Sequence, residues 1–360
     1  MEVVNLKFNI SLFFLSLFLL VFFLVGFVSA ANWYVDRDAP VGGNGQSWGT
    51  AWNNFSVINW SRVQPGDTIY ISGGVTEKVY NEGMTIGKSG TVNNPIIITR
   101  GKDPGHNGRV ILRSPVQSSG FGVYIYEKSN IIIEDLDLEL WATSVYIKSR
   151  TSPPFDNNPN AVKNIVIRNN RAILAGNFVE TNNFHSPTNE EYIERIKNIW
   201  VINNSWITVN WSSVQTDFFS FGQTKNVFVI GNRGVNYNNN PDTHDDFCQG
   251  GDGTNIYFIN NFFRHDNSVT KMGNANGLSG ISNYGGDGFF INNILVEPPT
   301  SIGYPIMLFY RPIERPDLYY RNWVKVKILG NTLVAAHVSG IRYGYDPYGE
   351  IKNNIFLFFE

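Results

Sequence analysis

One cysteine, Cys248, and five histidines in 360 residues remove two kinds of scaffold at once. A single thiol makes no internal disulfide, so stability must come from packing and backbone pairing. The chain has no His-Glu-x-x-His stretch and no paired-Cys spacing, so the common zinc frameworks are excluded. Gly250-Gly251 and Gly285-Gly286 lack the Lys and Ser/Thr of a phosphate loop and read as turns. Charge is scarce and balanced, with 16% charged residues and a net charge of -2. Without a basic field, nucleic acid is not an expected partner.

What the chain does have is turns and rings: 34 Gly, frequent Asn, 26 Phe, 17 Tyr and 9 Trp, within 42% hydrophobic residues. Such a composition buries one long core and favours an all-β fold over a helical one. Residues 12–28 are apolar apart from Ser16 and Gly26, follow Lys7, and end in Val28-Ser29-Ala30. Residues 1–30 therefore read as a signal peptide cleaved before Ala31, or as a retained membrane anchor. Either places the remainder outside the cytoplasm, secreted, periplasmic or at the cell surface, with membrane contact only if the segment is kept.

A short phrase recurs along the rest. It runs Asn164-Ile165-Val166-Ile167-Arg168-Asn169-Asn170, then Asn198-Ile199-Trp200-Val201-Ile202-Asn203-Asn204, then Asn226-Val227-Phe228-Val229-Ile230-Gly231-Asn232 and Asn255-Ile256-Tyr257-Phe258-Ile259-Asn260-Asn261. Weaker copies end at Asn293, Asn331 and Asn354, and an earlier one runs from Asn130 to Leu136; the steps are 34, 34, 28, 29, 32, 38 and 23 residues. Apolar residues two apart, such as Ile165 and Ile167, share one face of a short strand, and the closing Asn turns the corner. So short a unit cannot bury its apolar face alone. Stacked in parallel register, each unit completes its neighbour's core, and equivalent Asn residues pair along the stack. Leucine-rich repeats would need a recurrent Leu phrase, propeller blades longer periods, and a sandwich has no reason to repeat Asn.

The expected fold is therefore a single right-handed parallel β-helix with Asn-terminated coils over residues 67–360. Residues 31–66 form an N-terminal cap, with a short amphipathic helix expected within residues 48–63. The apolar stretch Ile355-Phe356-Leu357-Phe358-Phe359 carries no polar cap of its own, so a C-terminally incomplete stack is expected.

Trp33-Tyr34-Val35-Asp36, Gly42-Gly43-Asn44-Gly45 and Gln64-Pro65-Gly66-Asp67, followed by Ser89-Gly90-Thr91 through Ile98, together with the coil phrases, resemble the pectate lyase-like family of exported β-helix proteins. The resemblance covers nearly all of the mature chain and bears on fold more than on chemistry. The family includes lyases, hydrolases, epimerases and non-catalytic surface proteins.

Counting back fifteen residues from Asn232 gives Asp217, and from Asn261 gives Asp246, so the two acids fall at equivalent positions of adjacent coils. Asp245 adjoins the second, and Glu190 and Glu191 fall close to the same place one coil earlier. Stacked carboxylates repel unless a hard cation such as Ca²⁺ lies between them; otherwise Asp245 and Asp246 are ordinary turn acids. The family resemblance implies Asp217, Asp245 and Asp246 as calcium ligands and Lys271, or else Arg264, as the base that removes the proton beside a sugar carboxylate. Gln249 stands where some calcium-dependent members place a further acid. His244 and His265, each followed by Asp, are alternative acid–base groups or solvated turn residues. Cys248 reads as core.

Tyr310, Arg311, Arg315 and Arg321 lie in the segment that lengthens one coil step to 38 residues. Guanidinium groups match carboxylates and rings stack on sugars, so this segment, with Trp200, Trp206 and Trp211, is a candidate contact for an acidic polysaccharide. The expected protein is a monomeric, exported, calcium-dependent lyase of a uronate-containing glycan. A non-catalytic carbohydrate-binding β-helix is the alternative, and hydrolase or epimerase chemistry on the same groove is a third.

Overall fold

A computed structural model of the chain describes residues 30–149, 162–181, 196–208, 216–222, 224–237, 246–250, 253–265, 276–279, 288–296, 306–308, 325–335, 341–343 and 348–358. The described strands form three sheets of eleven, ten and nine strands, each following the coil order. One coil runs Val162–Arg168 in the eleven-stranded sheet, Arg171–Ile173 in the ten-stranded sheet and Asn177–Thr181 in the nine-stranded sheet. The next coil begins at Ile196–Ile202, parallel to the first, with Ile165 opposite Ile199 and Ile167 opposite Val201. This is the parallel β-helix expected from the repeats, and its core is the column of inward residues.

The alternation within each phrase settles which residues enter that core. Ile165, Ile167, Ile199, Val201, Val227 and Val229 are fully buried, and the residues between them face outward. Full burial of such a side chain stabilises by about 2 kcal/mol, and the stack repeats it at every coil. Cys248 is buried opposite Phe219, as a core residue.

The corner between the eleven- and ten-stranded sheets takes two residues. The first lies in the left-handed region at Asn169, Asn203, Asn260, Asn292 and Asn353, with φ of 51–56°, and at Gly231 and Gly330, with φ of 66° and 65°. Gly and Asn interchange there because both tolerate that conformation. The second residue is the ladder Asn. The amide and the Nδ2 of Asn170 both donate to Asn204 Oδ1, at 2.9 and 3.2 Å, while Nδ2 also donates to the Ile133 carbonyl at 3.0 Å. The same arrangement links Asn204 to Asn232, Asn261, Asn293, Asn331 and Asn354.

A second Asn ladder runs where each coil re-enters the eleven-stranded sheet. Asn164 Nδ2 donates to Asn130 Oδ1, Asn198 to Asn164, Asn226 to Asn198 and Asn255 to Asn226, at 2.7–2.9 Å. These residues also have positive φ, 56–58°.

The cap differs from expectation. In place of one amphipathic helix, residues 48–63 hold two single 3₁₀ turns, Trp48–Thr50 and Phe55–Val57. Between them Trp52 is extended, exchanging backbone hydrogen bonds with Tyr34 and Asp36. Pairing with the first strand outcompetes the helix, and Asn54 caps the second turn by accepting from the Val57 amide.

Candidate functional site

The two-residue Asn corner leaves no room for elaboration on its side of the coil. From the strand Ile131–Glu134 onward that corner stays at two residues, whereas residues 182–195 follow the strand Asn177–Thr181, residues 209–215 precede Phe219–Phe221, and residues 238–245 precede Asp246–Gly250, all strands of the nine-stranded sheet. Loops carried on a rigid scaffold are the usual place for recognition, so the outer face of this sheet is the candidate surface.

On that face one register column runs Tyr124, Tyr146, Glu180, Ser220 in successive coils. Val123, Ile125, Val145 and Ile147 point the other way, fully buried, so alternation turns the tyrosines outward. Phe121 stacks on Tyr146 with centroids 4.6 Å apart and on Tyr124 at 5.3 Å, and Tyr124 stacks on Tyr126 at 6.0 Å. Phe121 and Tyr126 are 38% and 37% exposed, so this cluster presents apolar ring surface to solvent.

Next in the column, Glu180 is held by two donors from the same sheet. Thr143 Oγ1 donates to Oε2 at 2.8 Å and Asn177 Nδ2 to the same oxygen at 3.3 Å. Burial, reinforced by the Glu180 charge, pushes the Tyr146 phenol up to about 12, so it stays protonated. Burial also raises Tyr124. Val123-Tyr124-Ile125-Tyr126 carries no motif of its own and reads from its alternation as a strand. The available signal was its period of two, which sets two tyrosines on the face opposite two core residues.

Phe219 pairs with Cys248, Ser220 with Gln249 and Phe221 with Gly250, and Asp217 and Asp246 each lie two residues before the first of these pairs. Asp217, however, is 1% exposed and does not open onto the outer face. Its backbone amide donates to Asn177 Oδ1 at 2.9 Å. Asp246 starts the strand Asp246–Gly250, but its side chain, with Asp245, Glu191, His244 and Lys271, lies outside the described residues. Arg264 is exposed on the ten-stranded sheet, opposite Val235 and Val296, a different sheet from the one that carries Asp246. His265 lies in the same strand, opposite Asn236, and its side chain is not described. Tyr310, Arg311, Arg315, Arg321 and Trp211 also fall outside the described residues.

Trp200 faces outward as expected and stacks on Phe228 at 5.7 Å. Trp206 is no ligand contact: it is fully buried and its Nε1 donates to the Gly176 carbonyl at 3.0 Å.

Calcium needs six to eight oxygen ligands. Among the described residues no group of three or more His, Cys, Asp or Glu side chains is placed to hold a metal. Of the candidate ligands, Asp217 alone has its side chain among the described residues.

Two other clusters are structural. Ser72 Oγ lies 2.9 Å from His106 Nδ1, and Asp36 Oδ2 lies 3.5 Å from the same nitrogen. A nucleophile triad needs Ser and Asp on opposite ring nitrogens, and Ser72 is fully buried, so this is a cap network. A polar hollow of about 120 Å³ lined by Arg100, Arg109, Asp135, Asp137 and Asn169 is an ion-pair seam. Arg109 bonds Glu77 and Asp137, and Lys102 bonds Asp135, so both carboxylates of the hollow are paired, while Arg100 Nε is buried without a hydrogen-bond partner.

No family model and no curated protein matches the chain. Among solved structures it is similar to the pectate lyase Pel9A, with 15% identity and a TM-score of 0.49 over 91% of this chain and 80% of that one. An alginate lyase from Paenibacillus sp. str. FPU-7 has 12% identity and a TM-score of 0.46 over 83% and 93%. PfbA, a surface adhesin of Streptococcus pneumoniae, has 11% identity and a TM-score of 0.42 over 82% and 80%.

Proposed function

We propose that this chain is an exported glycan-binding β-helix protein that holds its ligand on the outer face of the nine-stranded sheet. The carrying observation is the Phe121, Tyr124 and Tyr126 cluster set beside the doubly held Glu180 carboxylate. Ring faces cover the apolar C–H surface of a sugar, and a fixed carboxylate accepts from its hydroxyls. Export, read from residues 1–30, and the monomeric state belong to the same proposal. No helix among the described residues is long and apolar enough to cross a membrane.

The test is binding of the mature protein to an immobilised glycan panel, with Tyr124→Ala/Tyr126→Ala as the comparison. Retention on a glycan that the double variant loses is the expected result; equal retention by both proteins defeats the proposal.

A calcium-dependent lyase of a uronate-containing polysaccharide is the second reading, favoured by the equal spacing of Asp217 and Asp246 before the paired Phe219 and Cys248. Its roles for Asp245, Glu191, Lys271, Arg264, His244 and His265, and for Arg311, Arg315 and Arg321 as carboxylate contacts, are part of that reading. Ultraviolet absorbance of unsaturated product from pectate and alginate, abolished by chelator and by Asp246→Ala, is what it requires. Absence of product with calcium present rejects it.

A further inference from the structure

We infer that the unit held between the Tyr124 cluster and Glu180 is a neutral sugar and not a uronate. The inference rests on the reading that this face binds a glycan, and it adds the chemical class. Tyr124, Tyr146 and Glu180 stand in one register column, so ring platform and carboxylate are two coil steps apart, ~10 Å at ordinary strand spacing. Tyr146 between them is buried under Phe121, so a ligand spanning the two ends meets the exposed Phe121 and Tyr126 rings at one and the Glu180 carboxylate at the other.

Thr143 and Asn177 donate to the same Glu180 oxygen, which fixes the carboxylate as an acceptor. The ligand must therefore bring donors, which the hydroxyls of any pyranose supply. A uronate adds to its hydroxyls a charge of the same sign as the half-buried carboxylate, and that repulsion selects against it. The cation nearest in register is Lys148, opposite Tyr126 and two residues beyond Tyr146. It marks where a uronate would have to be held if the inference were wrong.

The experiment is calorimetric titration of the mature protein with neutral gluco-, manno- and galacto-oligosaccharides, and with oligogalacturonate and oligomannuronate. A neutral series is expected to bind, weakening about tenfold in both Tyr124→Ala and Glu180→Gln. Lys148→Met leaves it unchanged, and thermal melting confirms that each variant is folded. The exposed Tyr126→Ala serves as a second ring variant should Tyr124→Ala unfold. Binding of uronates alone, lost in Lys148→Met and kept in Glu180→Gln, overturns the sugar class while leaving the glycan face intact. No binding in any series, or binding indifferent to both ring variants, overturns the face itself.

Discussion

The indole Nε1 of Trp33 donates to Asp67 Oδ2 at 2.7 Å, joining two buried residues 34 positions apart. The same carboxylate accepts from the Gln64 amide at 2.8 Å and from the Ala31 amide at 2.7 Å. Gly66, with φ of 95°, makes the turn that delivers Asp67 to this position. One side chain therefore ties the first strand, the turn and the second strand together. Asp67→Ala strands three donors and is expected to lower unfolding free energy by about 3 kcal/mol, while Asp67→Asn, which keeps an acceptor, loses less. Urea unfolding followed by tryptophan fluorescence measures both, and an Ala variant as stable as the parent would remove the tie.

The corner residues give a paired test. Asn203 has φ of 51°, and its equivalents Gly231 and Gly330 are already glycine. Asn203→Gly is expected to change stability by less than about 0.5 kcal/mol, whereas Asn203→Val, forced into the same conformation, costs roughly 1–2 kcal/mol. Asn204→Ala acts differently, because it removes the shared acceptor of the Asn170 amide and Nδ2. Two buried donors lose their partner, for a loss of about 3 kcal/mol. Equal melting of the Gly and Val variants would show that the corner conformation does not matter.

The coil was legible because its physics is local. Asn169-Asn170 and Asn203-Asn204 announce both the corner and the register, and counting from them aligned Asp217 with Asp246. The count carried no information on direction. Asp217 lies before the strand and next to Phe218, which is as fully buried as Phe219, so the alternation of the strand does not reach back to it. The leading Asn of each phrase, Asn164 or Asn198, was visible as a repeat, but its ladder depends on a positive φ inside a strand, which no propensity signals. The Tyr124 cluster escaped because its members meet through register between coils, and Glu180 joins them from a third coil.

Gly234 tests the packing inside the coil. It stands opposite Trp206 and Phe263, both fully buried, and a Cβ there would come 2.8 Å from Phe263 Cδ1 and 3.2 Å from Trp206 Cε3. The missing side chain makes room for the two large ones. Gly234→Ala is expected to destabilise by roughly 1–3 kcal/mol through overpacking. Gly234→Ala with Phe263→Leu should recover part of that loss, and a double mutant no better than the sum of its singles would place the strain elsewhere.

Acid stability turns on Asp36. Burial pulls its pKa up, but Lys78 and the Asp38 amide outweigh burial and hold it below the ordinary 3.8. Lys78 reaches the same carboxylate as a direct ion pair and is itself largely buried. A carboxyl with a depressed folded pKa contributes stability that is present above pH 3.8 and is lost as pH falls through the folded value. Asp36→Asn is therefore expected to be less stable than the parent at pH 6 and to show a shallower loss of stability below pH ~4. Lys78→Met should go further. With its cation gone, burial becomes the leading influence on Asp36, its folded pKa rises, and acidification then relieves a buried charge. The melting temperature of this variant, measured from pH 6 to pH 3, should fall less than the parent's. A parallel fall in both proteins would show that the Lys78 pair does not govern the acid limb.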